Sequence, residues 1–167
     1  MASTGHYLLT EDLHPIDIVE HIAEHHAWDF DRVADDQIAM AIAGQWRTYS
    51  ITLAWSPADS TLRLICTFEM EPPEDKLGKV WEMLNAANDQ IWSGAFSYWN
   101  EQKLMVFRYG LILGRDQIAE SEQIDRMIKA AVVSAERYYP AFQLAAWSDR
   151  TAADSIKVAI GEAYGRA

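Results

Sequence analysis

The sequence predicts an α+β domain in which an antiparallel sheet, made of a four-strand meander and a two-strand unit, has helices packed on it. Residues 28–70 contain four stretches that alternate apolar and polar side chains and are joined by short links, the pattern of consecutive antiparallel strands. The flanking segments space their apolar residues with the 3.6-residue period of a helix. Strands that cluster instead of alternating with helices are typical of the α+β class.

The composition favours one acidic domain. The chain has 167 residues, half of them apolar, with a formal net charge of -11, and this length suits one domain with a full core. We expect residues 1–14 to be a mobile tail and residues 15–167 to form the domain. An acidic chain is repelled by phosphate groups, which argues against nucleic acid and anionic membrane as partners. The first residues do not have the pattern of a signal peptide, so we expect a cytoplasmic location.

The first helix is expected to begin at Pro15, whose fixed φ suits the first helical position, and to end near Ala27. Four strands should follow, with the sequences WDFDRVADD, QIAMAIAGQW, RTYSITLAWSP and TLRLICTFEM. In the last of these, Cys66 shares a face with apolar residues. We therefore expect its thiol to be buried and unreactive.

The second helix is expected to open at Glu74 and Asp75, whose charges suit the positive end of a helix. Its predicted apolar stripe comprises Leu77, Val80, Trp81, Leu84, Asn88, Ile91 and Trp92. A buried Asn88 needs hydrogen-bond partners, so we expect it to tie the helix to the backbone of a neighbouring segment. The two-strand unit follows as GAFSYW and KLMVFRYGLIL.

A third helix is expected from about Glu120 to Tyr139. Pro140 lacks an amide donor and its ring clashes with the preceding turn, so the helix should break or kink there. The segments AFQLAAW and TAADSIKVAIGEAYG are expected to complete the chain as helical pieces.

The stretch HIAEHH contains the pattern H-x-x-E-H at His21, Glu24 and His25, which in some metalloproteases binds zinc through the two histidines. No convincing third ligand follows in the sequence, so we favour the last turn of an amphipathic helix, where histidines suit the negative end of the dipole. His26 is expected to pack and to donate to a backbone carbonyl. Neither a nucleophile motif nor a phosphate-binding glycine loop is present. We therefore predict no catalytic residues, no enzyme activity and no cofactor.

Arg108 lies in an otherwise apolar strand, on the face with Leu104, Val106 and Ile112. We expect it to be half-buried and paired with a carboxylate across the strands or at an interface; the alternative is an anchor for a small anionic ligand. Because residues 104–113 are otherwise apolar on both faces, they need cover from helices or from a partner subunit. A homodimer is therefore expected.

Several runs together resemble the YbjN-domain family of bacterial proteins. They are Gly44-Gln45-Trp46, Asn88 to Phe96 (NDQIWSGAF), Phe107-Arg108, Arg137 to Gln143 (RYYPAFQ) with Trp147, and Ala159 to Ala163 (AIGEA). The resemblance extends from about Pro15 to Gly165. It implies a fold similar to the type III secretion chaperones, frequent dimers, and a role in sensory transduction without catalytic residues. It also implies that Asn88 and Arg108 hold the helix–sheet junction and that Tyr139, Pro140 and Phe142 form a structural bend.

The function predicted from these observations is a non-enzymatic, cytoplasmic, protein-binding module with a regulatory or chaperone-like role. Its binding or structural candidates are Asn88, Trp92, Arg108, Tyr139, Pro140 and Phe142. Two alternatives stay open: a metal-dependent hydrolase that uses His21, Glu24 and His25, and a sensor of a small anion that uses Arg108.

Overall fold

The computed structural model describes residues 14–114 and 116–165, so the tail predicted for residues 1–14 lies outside the described residues except for His14. The elements are α1 (Pro15–His25), β1 (Asp29–Ala34), β2 (Gln37–Ala43), β3 (Thr48–Ser56), β4 (Thr61–Glu69), a 3-10 turn (Glu74–Lys76), α2 (Leu77–Asp89), β5 (Ala95–Trp99), β6 (Leu104–Ile112), α3 (Ser121–Trp147) and α4 (Ala152–Gly165).

The six strands form one sheet in the order β1-β2-β3-β4-β6-β5, and every neighbouring pair is antiparallel. The first four strands are the predicted meander. The chain then passes through α2, returns as β5, and reverses so that β6 lies between β5 and β4. The predicted α+β class, with a meander and a two-strand unit, is confirmed.

The helices pack on one face of the sheet, which we call the core face. Ring contacts join α3 to this face. The ring centroids of Tyr138 and Phe142 lie 5.7 and 5.0 Å from the ring centroid of Phe96. Cys66 is on the same face and is buried. Its burial raises the pKa of the thiol to about 12, so the predicted burial is confirmed and the thiolate form is disfavoured at neutral pH.

Helix α1 begins at Pro15 as predicted, and His14 caps it. The Nδ1 atom of His14 accepts from the amide of Ile16 (3.2 Å), while the carboxylate of Asp17 accepts from the amide of His14 (3.3 Å). The helix ends at His25, two residues before the predicted end. Ala27 has a φ of 55°, a left-handed conformation that ends the helix and turns the chain towards β1.

The predicted end of the third helix at Tyr139 is wrong, because α3 continues through Pro140 to Trp147. Pro140 lacks the amide that would bond to the carbonyl of Glu136, and such a loss usually disfavours a helix. Here the residues after the proline remain in the core, with Ala141, Phe142, Ala145 and Ala146 all buried. The apolar area that they bury offsets the missing hydrogen bond.

The predicted apolar stripe of α2 is partly wrong. Its buried residues are Val80, Met83 and Ala87, whereas Trp81 is 56% exposed and Trp92 is 100% exposed. The helix ends at Asp89, so Trp92 lies in the loop before β5. The 3.6-residue repeat of the helix therefore does not determine whether Trp92 is buried.

Candidate functional site

The face of the sheet that points away from the helices is the main candidate surface, and we call it the open face. Side chains alternate between the two faces of a strand, so the open face takes every second residue. Its residues include Asp29, Asp31, Ala39, Ala41, Ser50, Thr52, Ala54, Arg63, Ile65, Thr67, Ala95, Ser97, Trp99, Leu104, Val106, Arg108, Gly110 and Ile112. Their neighbours along the strands, such as Ile51 and Leu53, are fully buried against the helices.

The middle of the open face carries small side chains. Ala41 and Ser50 are exposed there, and Thr52 and Ala54 are half-buried. Val106 is fully buried although it lies outside the main core cluster, so other side chains of the open face cover it. A sheet face of small and apolar residues is the kind of surface that packs against another sheet or segment.

The open face carries opposite charges four strands apart in one transverse row. The register places Asp31 of β1 beside Ala39, then Thr52, Ile65 and Arg108 of β6, and the row ends at Ala95 of β5. The other cation of this face, Arg63, donates to Asp59 at 2.9 Å. Asp31 and Arg108 have no ion pair with any of the described residues.

The prediction that Arg108 is half-buried and paired with a carboxylate is therefore wrong for the described residues. Arg108 is exposed, and its neighbours on β4 and β5 are Ile65 and Ala95, which offer no carboxylate. The helices pack on the other face, so none of the described helices covers it. For the same reason Arg108 does not hold the helix–sheet junction.

Asn88 does tie α2 to a neighbouring backbone, as predicted. Its Nδ2 donates to the carbonyl of Phe96 at 3.0 Å, and its Oδ1 accepts from the amide of Phe96 at 2.7 Å. Because β5 is an edge strand, these two groups would otherwise be open to a further strand. The side chain of Asn88 thus occupies a place that a neighbouring strand would take.

Replacing Asn88 with alanine is expected to lower the free energy of unfolding by about 2 kcal/mol, because two hydrogen bonds to Phe96 are lost. Asn85, exposed on the same helix, provides a matched control whose change to alanine should alter stability by less than about 0.5 kcal/mol. Urea unfolding of the two variants measures both values. Equal effects would contradict a special role for Asn88.

The candidates at the end of α3 are structural. Phe142 is fully buried, and Tyr139 packs its ring at 5.2 Å from Phe68. The guanidinium of Arg47 lies 5.9 Å from the ring of Tyr139, and Trp46 stacks on that ring at 6.4 Å. These contacts join α3 to the β2–β3 hairpin and to β4.

Glu136 is a key residue that sequence reasoning missed. Its carboxylate accepts from the hydroxyl of Tyr49 at 2.5 Å, from the amide of Gln45 at 2.8 Å and from the amide of Trp46 at 3.3 Å. Burial, and then the hydrogen bond to Glu136, raise the pKa of Tyr49 well above its usual range. The one sequence signal is Gly44, where a Cβ would collide with Glu136 and lie 2.6 Å from the ring of Tyr49.

The histidine-rich stretch lies at the end of α1, as favoured from the sequence. His21, Glu24 and His25 are all exposed, and no group of three or more His, Cys, Asp or Glu among the described residues could hold a metal ion. The expected partner of His26 is wrong. Its Nε2 lies 3.0 Å from the carboxylate of Asp125 instead of a backbone carbonyl, and its ring stacks on Trp28 at 4.4 Å.

Asp125 is expected to make a pH-dependent contribution to the stability of the fold. Its hydrogen bond from Lys129 and, to a smaller extent, that from His26 lower the pKa of this carboxyl below 3.8. The ionised form therefore stabilises the fold above about pH 4, and this stabilisation is lost as the pH falls through the lowered pKa. Replacing Asp125 with asparagine should cost about 0.5–1 kcal/mol at neutral pH. Urea unfolding should show this loss of stability at neutral pH and a smaller loss below about pH 3. An equal loss at both pH values would contradict the role given to the ionised Asp125.

A comparison with protein families finds that the profile of YbjN, described as "Putative bacterial sensory transduction regulator", matches residues 15–144. The chain belongs to the YbjN family. The match covers most of the chain, including the whole sheet, the Asn88 and Glu136 contacts and the open face. A comparison with curated proteins finds no significant match for this YbjN protein. Within the described residues, none of the helices has both the length and the apolar character to cross a bilayer.

Proposed function

We propose that this YbjN-family protein is a non-enzymatic regulatory module of the cytoplasm that works by binding protein, and that the open face is its contact surface. The observation that carries the proposal is the contrast between the two faces of the sheet. The core face is covered by helices, whereas the open face leaves Ala41, Ser50 and Arg108 exposed and Ile112 75% exposed. A sheet face with this mixture of small, apolar and charged side chains gains stability when a protein surface covers it.

The two alternative functions receive less support. In the hydrolase, His21, Glu24 and His25 would need a further ligand and a shielded site, but they are exposed on a helix end. In the anion sensor, Arg108 would act with Arg63, which lines the same shallow concavity and donates to Asp59 at 2.9 Å. The described residues of the open face are better suited to a broad contact with protein.

Site-specific photo-crosslinking in the native cell tests this proposal. A photoreactive phenylalanine analogue at Thr52, in the middle of the open face, is compared with the same group at Val133, which is 63% exposed on α3. We expect protein adducts from position 52 and few from position 133. The proposal would be overturned if position 52 formed no protein adduct, or if both positions formed the same ones. An adduct with a segment of another protein would make the role chaperone-like.

A further inference from the structure

We infer that the partner on the open face is a second copy of this chain, packed face to face around a two-fold axis that runs parallel to the strands above β3. The inference rests on the proposed function, since it names the protein that this surface binds. The observation behind it is the row in which Asp31 and Arg108 are separated by Ala39, Thr52 and Ile65.

The position of the axis follows from the two charged residues. Asp31 lies on β1 and Arg108 on β6, and β3 is midway between these two strands in the order β1-β2-β3-β4-β6-β5. The edge strand β5 lies beyond β6 and extends past the paired strands. Rotation by half a turn about an axis along β3 places β1 of one copy over β6 of the other and keeps each residue at its height along the strands. Asp31 of each copy then faces Arg108 of its partner. The dimer has two such pairs, because a two-fold interface repeats each contact.

The other residues of the row suit this arrangement. Thr52 lies at the axis and faces its own copy, while Ala39 faces Ile65 of the partner. In the next row Ser50 lies at the axis, Ala41 faces Thr67 of the partner, and Asp29 faces Val106. The charge pairing is therefore confined to the row of Asp31 and Arg108. Facing sheets pack about 10 Å apart. Small side chains at the centre allow that separation, and the larger Ile65 lies opposite an alanine.

The edge strands disfavour the alternative arrangement, in which two copies pair edge to edge and form one continuous sheet. At β5, Asn88 occupies the amide and the carbonyl of Phe96 that an added strand would use. At β1, the edge carries the charged residues Asp29, Asp31 and Arg32, and charged side chains discourage strand addition. Association through the face is therefore favoured over association through the edges.

Charge reversal tests the inference on the purified full chain. Sedimentation at micromolar concentration should give a species of about twice 19.0 kDa. Asp31→Arg and Arg108→Asp should each weaken the dimer at least about tenfold, because each places two like-charged pairs in the interface. The double variant D31R/R108D should restore most of the affinity, since it recreates both pairs with the charges exchanged.

Glu82→Arg is the matched control, because it makes the same change of charge at an exposed position of α2 and should leave the dimer unchanged. Circular dichroism confirms that each variant is folded. A monomeric wild-type protein would overturn the inference, as would single variants that dimerise normally or a double variant that stays as weak as the single ones. Adducts of position 52 with a different protein would also overturn the inference while supporting the proposed function. The two failures are therefore distinguishable.

Discussion

Replacing Glu136 with alanine is expected to lower the free energy of unfolding by about 3 kcal/mol, because one hydroxyl and two amides lose a charged acceptor. The hydroxyl belongs to Tyr49, a fully buried residue of the core face. The amides belong to Gln45 and Trp46, in the turn between β2 and β3. This single carboxylate therefore connects the middle of α3 to the turn of a hairpin more than 80 residues earlier in the chain.

A double-mutant cycle isolates the bond between Glu136 and Tyr49. Tyr49→Phe removes the hydroxyl and keeps the ring in the core, so it should cost about 1–2 kcal/mol alone. It should cost less in the background of Glu136→Ala, with a coupling energy of about 1 kcal/mol between the two sites. Glu136→Gln keeps an acceptor oxygen without the charge and should fall between the wild type and the alanine variant. Urea unfolding measures all five proteins; additive effects of Tyr49→Phe and Glu136→Ala would contradict the proposed bond.

Replacing Gly94 with alanine is expected to cost about 3 kcal/mol, for two separate reasons. Gly94 has a φ of 86°, which L side chains rarely adopt. An added Cβ would also lie 2.7 Å from the carbonyl oxygen of Arg108 and would collide with the ring of Phe107. Neither neighbour can move easily, because β6 is paired on both sides and Phe107 is buried.

Gly78→Ala provides the control for this prediction. Gly78 lies in α2, and an added Cβ there would meet nothing within 4 Å. Alanine favours a helix over glycine by about 1 kcal/mol, so this change should raise the stability. Thermal unfolding should therefore shift in opposite directions for the two glycines. A Gly94→Ala protein as stable as the wild type would show that this loop relaxes without cost.

Local patterns were sufficient to predict the strands, the start of α1 and the role of Asn88. The alternation in β3 and β4 shows directly which side chains are inside, and a polar residue within an apolar helical stripe must find a partner. The family was also recognisable from short runs such as those at Asn88 and Tyr139, and the family comparison confirms it.

The features that could not be predicted depend on tertiary packing. The helix passes through Pro140 because Phe142 and later residues are held in the core. Arg108 is exposed because the helices pack on the opposite face of the sheet. The alternation along the strands does not show which face the helices cover. The bonds of Glu136 join segments about 90 residues apart, and a lone carboxylate on a helix carries no sign of such partners. Trp92 looked like part of the stripe because the end of α2 has no glycine or proline to mark it.

A crosslinking test of Thr52 bears most directly on the role of the open face. The native Cys66 is buried, so a cysteine introduced at position 52 is the accessible thiol among the described residues. Facing sheets pack about 10 Å apart, which is farther than a disulfide reaches, so the reagent is a short bis-maleimide that joins two thiols across this gap. Because Thr52 lies at the inferred axis, the reagent should convert Thr52→Cys into a covalent dimer of about twice 19.0 kDa, whereas Val133→Cys should stay monomeric. A Thr52→Cys protein that reacts with the reagent and yet stays monomeric would contradict a contact surface on the open face that binds a second copy.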